Sequence, residues 1–144
     1  MTVAAILKHK GTDVATVGPN RSIAEVAKLL SSRRIGAVLV CDAEEQLLGI
    51  LSERDVMYAL ASNGAATLQM TARQLMTVAL HVATPATTVN EALRAMTEGR
   101  FRHMPVVHNG RLAGIVSIGD VVKAKLMQQE TEVDGLRAYV TGAA

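Results

Sequence analysis

Apolar and polar positions along this chain follow one order of elements, and they follow it twice. In the first pass, Ser22-Ile23-Ala24-Glu25 has the form of a capping box, and Ile23, Val26, Ala27 and Leu30 continue along one helical face. In the second, Thr88-Val89-Asn90-Glu91 does the same, followed by Val89, Ala92, Leu93 and Met96. An apolar strand is predicted after each helix, over residues 37–41 and 104–107. Polar turns at 42–46 and 108–111 then lead into second strands at 47–51 and 112–116. Each second strand runs straight into another helix, and Gly64 is a stop signal for the first of these. Residues 65–76 link the copies, with a helical turn predicted over 71–76.

Laid on itself at a spacing of 66, the chain places Pro19 on Pro85, Ser22 on Thr88, Glu25 on Glu91 and Val40 on Val106. After a one-residue gap in the turn, Leu47 meets Leu112, Gly49-Ile50 meets Gly114-Ile115, Ser52 meets Ser117, and Asp55-Val56 meets Asp120-Val121. Agreement at turns, caps and core positions together marks an internal duplication. The expected fold is α/β: two β-α-β-β-α units, residues 1–68 and 69–144, paired through their strand faces with pseudo-twofold symmetry. A unit of about 60 residues is marginal alone, which favours such pairing. Beyond Asp120 the helical pattern continues through Leu126, Val133 and Val140, although Gly135 costs about 1 kcal/mol relative to alanine. That tail reads either as a helix docked at a dimer interface or as a frayed surface segment.

Composition narrows the function classes. Hydrophobic residues make up 49%, but Tyr58, Phe101 and Tyr139 are the only aromatics, so the core is aliphatic. The same scarcity argues against single-stranded nucleic-acid binding, which relies on aromatic platforms, and a net charge of +2 makes no polyanion surface. One cysteine, Cys41, excludes an internal disulfide and a multi-cysteine metal site, and no metal is expected. The apolar run at residues 3–7 is too short for a signal peptide, and no segment nears the ~18 apolar residues of a membrane span. A cytoplasmic location is expected. Nucleophile-elbow, phosphate-loop and zinc-ligand motifs are missing, and no histidine is paired with a carboxylate by spacing, so the chain is expected not to be an enzyme.

Candidate chemistry lies where each second strand meets its helix. In Ser52-x-x-Asp55 and Ser117-x-x-Asp120, the serine stands at a helix N-terminus, where free N–H groups and the dipole favour a phosphate. The aspartate, one turn on, can accept hydrogen bonds from two ribose hydroxyls, and Val-rich strands, Val38 among them, can wall an adenine. Both pairs can equally be helix caps.

The same residues carry a resemblance to a known family. Gly49-Ile50-Leu51-Ser52-Glu53-Arg54-Asp55 and Gly114-Ile115-Val116-Ser117-Ile118-Gly119-Asp120 are similar to the closing motif of cystathionine-β-synthase (CBS) domains. Phe101-Arg102-His103-Met104-Pro105-Val106-Val107 resembles the family's strand motif, and Thr71-Ala72-Arg73-Gln74-Leu75-Met76-Thr77 its opening turn. The resemblance implies a stand-alone CBS pair, or Bateman module. It would be a regulatory homodimer that binds AMP, ATP, NAD(H) or S-adenosylmethionine between the copies and acts on an unidentified partner. It also implies that Arg102, His103, Met104 and Pro105 lie by the ligand, with Arg54 beside Ser52 and Asp55. Arg102 and His103 are neighbours, so a regular strand sends them to opposite faces unless a bulge intervenes. The first copy carries Gly36-Ala37-Val38-Leu39 at the matching positions, and the second has Ile118-Gly119 in place of Glu53-Arg54. The clefts are therefore unequal, and one or two ligands per chain remain open. The competing reading is a structural interaction module with vestigial clefts.

Overall fold

Helix α1 (Val3–Lys10) opens the chain, followed by β1 (Thr16–Val17), α2 (Ile23–Arg33), β2 (Ala37–Cys41), β3 (Leu47–Ser52) and α3 (Glu53–Asn63). A 3-10 turn (Gly64–Gln69) leads to α4 (Ala72–Leu75), α5 (Val89–Gly99), β4 (His103–His108), β5 (Arg111–Ser117) and α6 (Ile118–Thr141). This computed structural model describes residues 1–78 and 81–142; residues 79–80 and 143–144, all within the expected second unit, lie outside the described residues.

The duplicated pattern becomes two matching hairpins. Strand β2 runs antiparallel to β3, and β4 to β5, with Leu39↔Ile50 answered by Pro105↔Ile115. Both ladders slip at the same place, between Val40 and Cys41 and between Val106 and Val107. Strand β1 lies parallel to β2, completing a three-stranded sheet. In the second copy, among the described residues, Ala83 alone takes that position, donating to the Pro105 carbonyl at 2.8 Å and accepting from Val107 N–H at 2.8 Å. Asn109 and Gly110 close the second hairpin with φ of 52° and 76°, the paired positive values of a tight primed turn.

Two aliphatic cores sit between these hairpins and the helices. The first joins Val17, Ile23, Val26, Leu30, Val38, Val40, Leu51 and Val56. The second joins Val89, Ala92, Met96, Met104, Val106, Val116, Val121 and Ala124. The opening helices are exchanged between them. Val3, Ile6 and Leu7 of α1 fill the second core, while Ala72 of α4 fills the first. Matching backbone bonds fasten both: Val89 N–H donates to Met1 O at 3.0 Å, and Ile23 N–H donates to Met70 O at 2.8 Å. Neither core is contiguous in sequence, and the exchange locks the copies together.

Two glycines make this exchange possible. A Cβ on Gly49 would lie 2.7 Å from the Thr77 carbonyl oxygen, and one on Gly114 would lie 2.8 Å from Leu7 Cδ2. The Gly-Ile pair repeated in the sequence is therefore where the opening segment crosses the second strand.

Helix starts correct one expectation. Ser22 Oγ accepts from Glu25 N–H at 3.2 Å and Thr88 Oγ1 from Glu91 N–H at 3.0 Å, but neither glutamate returns the bond to its cap. Glu25 is held instead by Arg21 at 2.9 Å. These are half boxes. At the other end, α6 runs through Gly135 unbroken. Beyond Ala124 it leaves Leu126, Val133, Leu136, Tyr139 and Val140 exposed.

Candidate functional site

Among the described residues, the complete capping boxes are the two Ser-x-x-Asp junctions and Thr71/Gln74. Ser52 Oγ accepts from Asp55 N–H at 3.2 Å, and Asp55 Oδ2 accepts from Ser52 N–H at 2.8 Å and from Ser52 Oγ at 3.0 Å. Ser117 and Asp120 repeat this at 3.1 Å and 2.8 Å. The short aspartate reaches its cap as well as glutamate would. Each cap uses Oδ2, so the box fixes the carboxylate at the helix N-terminus and leaves its other oxygen outside the box. Capping and ligand acceptance are thus compatible at one residue.

A cleft of about 220 Å3 lies above the first junction. The first copy contributes Ser52, Arg54 and Asp55, together with Gly36 and Ile50; the second contributes Arg100, Phe101, Arg102 and His103. Arg102 and His103 both line it, against strict alternation, because β4 begins only at His103 and Arg102 belongs to the preceding bend. Arg100 was not singled out from sequence. It caps α5 in a left-handed conformation (φ 55°), a geometry that costs a side-chain-bearing residue about 1 kcal/mol and usually falls to glycine. Arg34 does the same at the end of α2 (φ 52°), so the signal was present as an arginine repeated at the duplication spacing. Phe101 stacks on His81 with ring centroids 4.6 Å apart.

His103 is half-buried at the meeting of the copies. A Cβ on Gly36 would stand 3.1 Å from its Cε1 and Nε2, so the missing side chain in the first copy makes room for the ring in the second. Burial pushes the His103 pKa down, the Lys10 charge adds to this, and Glu53 and Asp120 oppose it.

Other expected residues fall elsewhere. Val38 and Met104 are buried in the two cores, because strand alternation turns them toward the helices while His103 faces the other copy. Pro105 is buried too, its carbonyl committed to Ala83. Asp120 borders a separate cavity of about 410 Å3 between α1 and α6, together with Ile6, Lys10, Lys123 and Met127. There Lys10 Nζ donates to Asp120 Oδ2 at 2.6 Å and to the Ile115 carbonyl at 2.9 Å. Burial alone would raise the Asp120 carboxyl. The hydrogen bonds from Lys10 and Ser117 and the Lys10 charge outweigh it and hold the group below the usual carboxylate range. Among the described residues, no cluster of three or more histidine, cysteine or acidic side chains could hold a metal, and no helix is long and apolar enough to cross a membrane.

Comparison with known proteins places these features. The family model of the CBS domain matches residues 5–62 and again residues 72–127. A CBS-domain containing protein of Agrobacterium tumefaciens is 50% identical, superposes with a TM-score of 0.84, and covers 87% of this chain and 99% of its own. The CBS domain pair of protein MJ0100, solved with 5-methylthioadenosine and S-adenosyl-L-methionine, is 27% identical (TM-score 0.78, covering 89% of this chain and 98% of its own). CBSX2, solved with AMP, is 28% identical (TM-score 0.70, covering 89% and 98%).

Proposed function

This chain belongs to the CBS-domain family, and from that premise we propose that it is a non-catalytic regulatory module binding an adenosyl nucleotide between its two copies. The observation that carries the reading is the first cleft, where Arg54, Arg100 and Arg102 gather beside Ser52 and Asp55 at the N-terminus of α3. Cations and helix N–H groups suit phosphate, and a fixed carboxylate beside them suits the vicinal hydroxyls of ribose. The adenosyl ligands of MJ0100 and CBSX2 support the class. The three arginines favour AMP, ATP or NAD(H) over S-adenosylmethionine, whose sulfonium is itself cationic. A cytoplasmic setting suits the free Cys41.

Thermal-shift and calorimetric titration with AMP, ADP, ATP, NAD(H) and S-adenosylmethionine tests the proposal. A phosphate-bearing ligand at 100 times its Kd adds about 2.7 kcal/mol to stability. No response to any of the five leaves the interaction-module reading. Helix α6 supports a homodimer as the working form, since Leu126, Val133, Leu136 and Val140 are exposed on a helix that extends past its own core. Sedimentation of the full chain and of one cut after Gln128 checks this; a truncation that leaves a dimer intact removes α6 from the contact.

A further inference from the structure

We infer that Lys10 is a built-in occupant of the second cleft, the duplicate-related position at the Ser117/Asp120 junction, so that the chain holds one nucleotide, in the first cleft, until Lys10 is displaced. The inference rests on the nucleotide reading above. Asp55 and Asp120 hold equivalent positions in equivalent capping boxes. Among the described residues no basic nitrogen lies within 4.0 Å of Asp55, whereas Lys10 Nζ lies 2.6 Å from Asp120 Oδ2. The cause is a difference in length between the exchanged helices. Helix α4 has four residues, and the chain then extends along β3, with Thr77 N–H donating to Ile50 O at 2.9 Å. Helix α1 has eight residues, and its last side chain supplies the donor in place of the backbone: Lys10 Nζ to Ile115 O, 2.9 Å.

A ligand ribose reaching Oδ1 in the second cleft would have to share the carboxylate with an ammonium already bonded to the cap oxygen Oδ2. With side chains 33% and 26% exposed, the pair is open to such competition and not a sealed internal bridge. The second cleft also lacks counterparts of two of the first cleft's three arginines: Gly119 stands where Arg54 stands and Gly36 where Arg102 stands, while Arg34 matches Arg100.

Calorimetric titration with AMP, and separately with ATP, counts sites per chain in the native protein, in Lys10→Met and in Lys10→Met with Asp120→Asn. The expected counts are one, two and one. Two sites in the native chain, or one in Lys10→Met, overturn the inference. A site lost on removing Lys10 also overturns it, making the lysine a phosphate contact. No heat from any of the three, each folded by circular dichroism, overturns the nucleotide reading and this inference with it. Binding in Lys10→Met alone, with none in the native chain, also overturns the inference, because the native nucleotide is placed in the first cleft.

Discussion

At both β-to-α junctions a serine caps a helix and an aspartate returns the bond, within 0.1 Å of the same distances, yet the two junctions face different neighbours. The first meets Arg54 of its own helix and Arg100, Arg102 and His103 of the other copy; the second meets a lysine from the exchanged helix α1. Duplication preserved the local device, and divergence acted on what the partner segment brings to it. A motif match therefore identifies the cap and its carboxylate. The neighbouring elements decide whether that carboxylate is free to accept a ligand.

The sharpest way to break this equivalence is at the crossing glycines. Gly49→Ala drives a methyl against the Thr77 backbone oxygen, 2.7 Å away, with Met76 Sδ at 2.8 Å. Gly114→Ala drives one against Leu7 Cδ2, the mobile end of a side chain. Overpacking costs about 1–3 kcal/mol, and the upper end is expected at Gly49, where backbone must move, and the lower at Gly114. Denaturant unfolding of the two variants measures the difference. Equal losses would mean that α1 is held as rigidly as the segment after α4.

These glycines also mark how far the sequence could be read. The capped helices, the hairpins and the 66-residue register depend on local pattern, and each stands in the structure. The exchange of α1 and α4 depends on contacts between segments far apart in sequence (Val3 with Thr87 and Ile23 with Met70, each at 2.8 Å), and no periodicity within residues 3–7 announces it. Arg102 and His103 were legible as residues but not as a pair, because alternation holds only within a strand and β4 starts one position later than that argument needs. Lys10 carried no motif at all. Its role comes from helix length, since it is the last residue of an eight-residue helix that ends beside Asp120.

A second comparison separates the two left-handed arginines. Arg100 lines the first cleft, whereas Arg34 lines a groove formed by α2, Gly36, Glu53 and Val56. Replacing either by glycine relieves a positive φ, so both variants are expected to be neutral or slightly stabilised. Binding should divide them. Arg100→Gly removes a charged partner for phosphate and is expected to weaken AMP by about 1.5 kcal/mol, roughly tenfold, with little change for adenosine. Arg34→Gly should leave both ligands unchanged. A parallel loss in AMP and adenosine at Arg100 would make it a support for the turn and not a phosphate contact.

The smallest expected effect concerns His103, whose counterpart in the first copy is Ala37. Burial lowers its folded pKa, Lys10 on α1 and the adjacent Arg102 lower it further, and Glu53 on α3 and Asp120 on α6 pull the other way. The unfolded chain restores an ordinary imidazole near 6.5. Above that pH both states hold a neutral ring, and the residue adds no pH dependence. As pH falls through the unfolded value the unfolded state takes up the proton first, so stability declines, and the decline ends once pH passes below the folded value. Asp120 behaves alike at more acidic pH: its lowered carboxyl contributes stability above the ordinary carboxylate pKa and loses it as pH falls through the folded value. Melting curves between pH 7.5 and 5 should therefore show a fall in the native chain that His103→Gln reduces, while Lys10→Met, by removing a cation, should reduce it in part. A His103→Gln slope equal to the native one would place the proton uptake on other groups and leave His103 as a spacer filling the room that Gly36 provides.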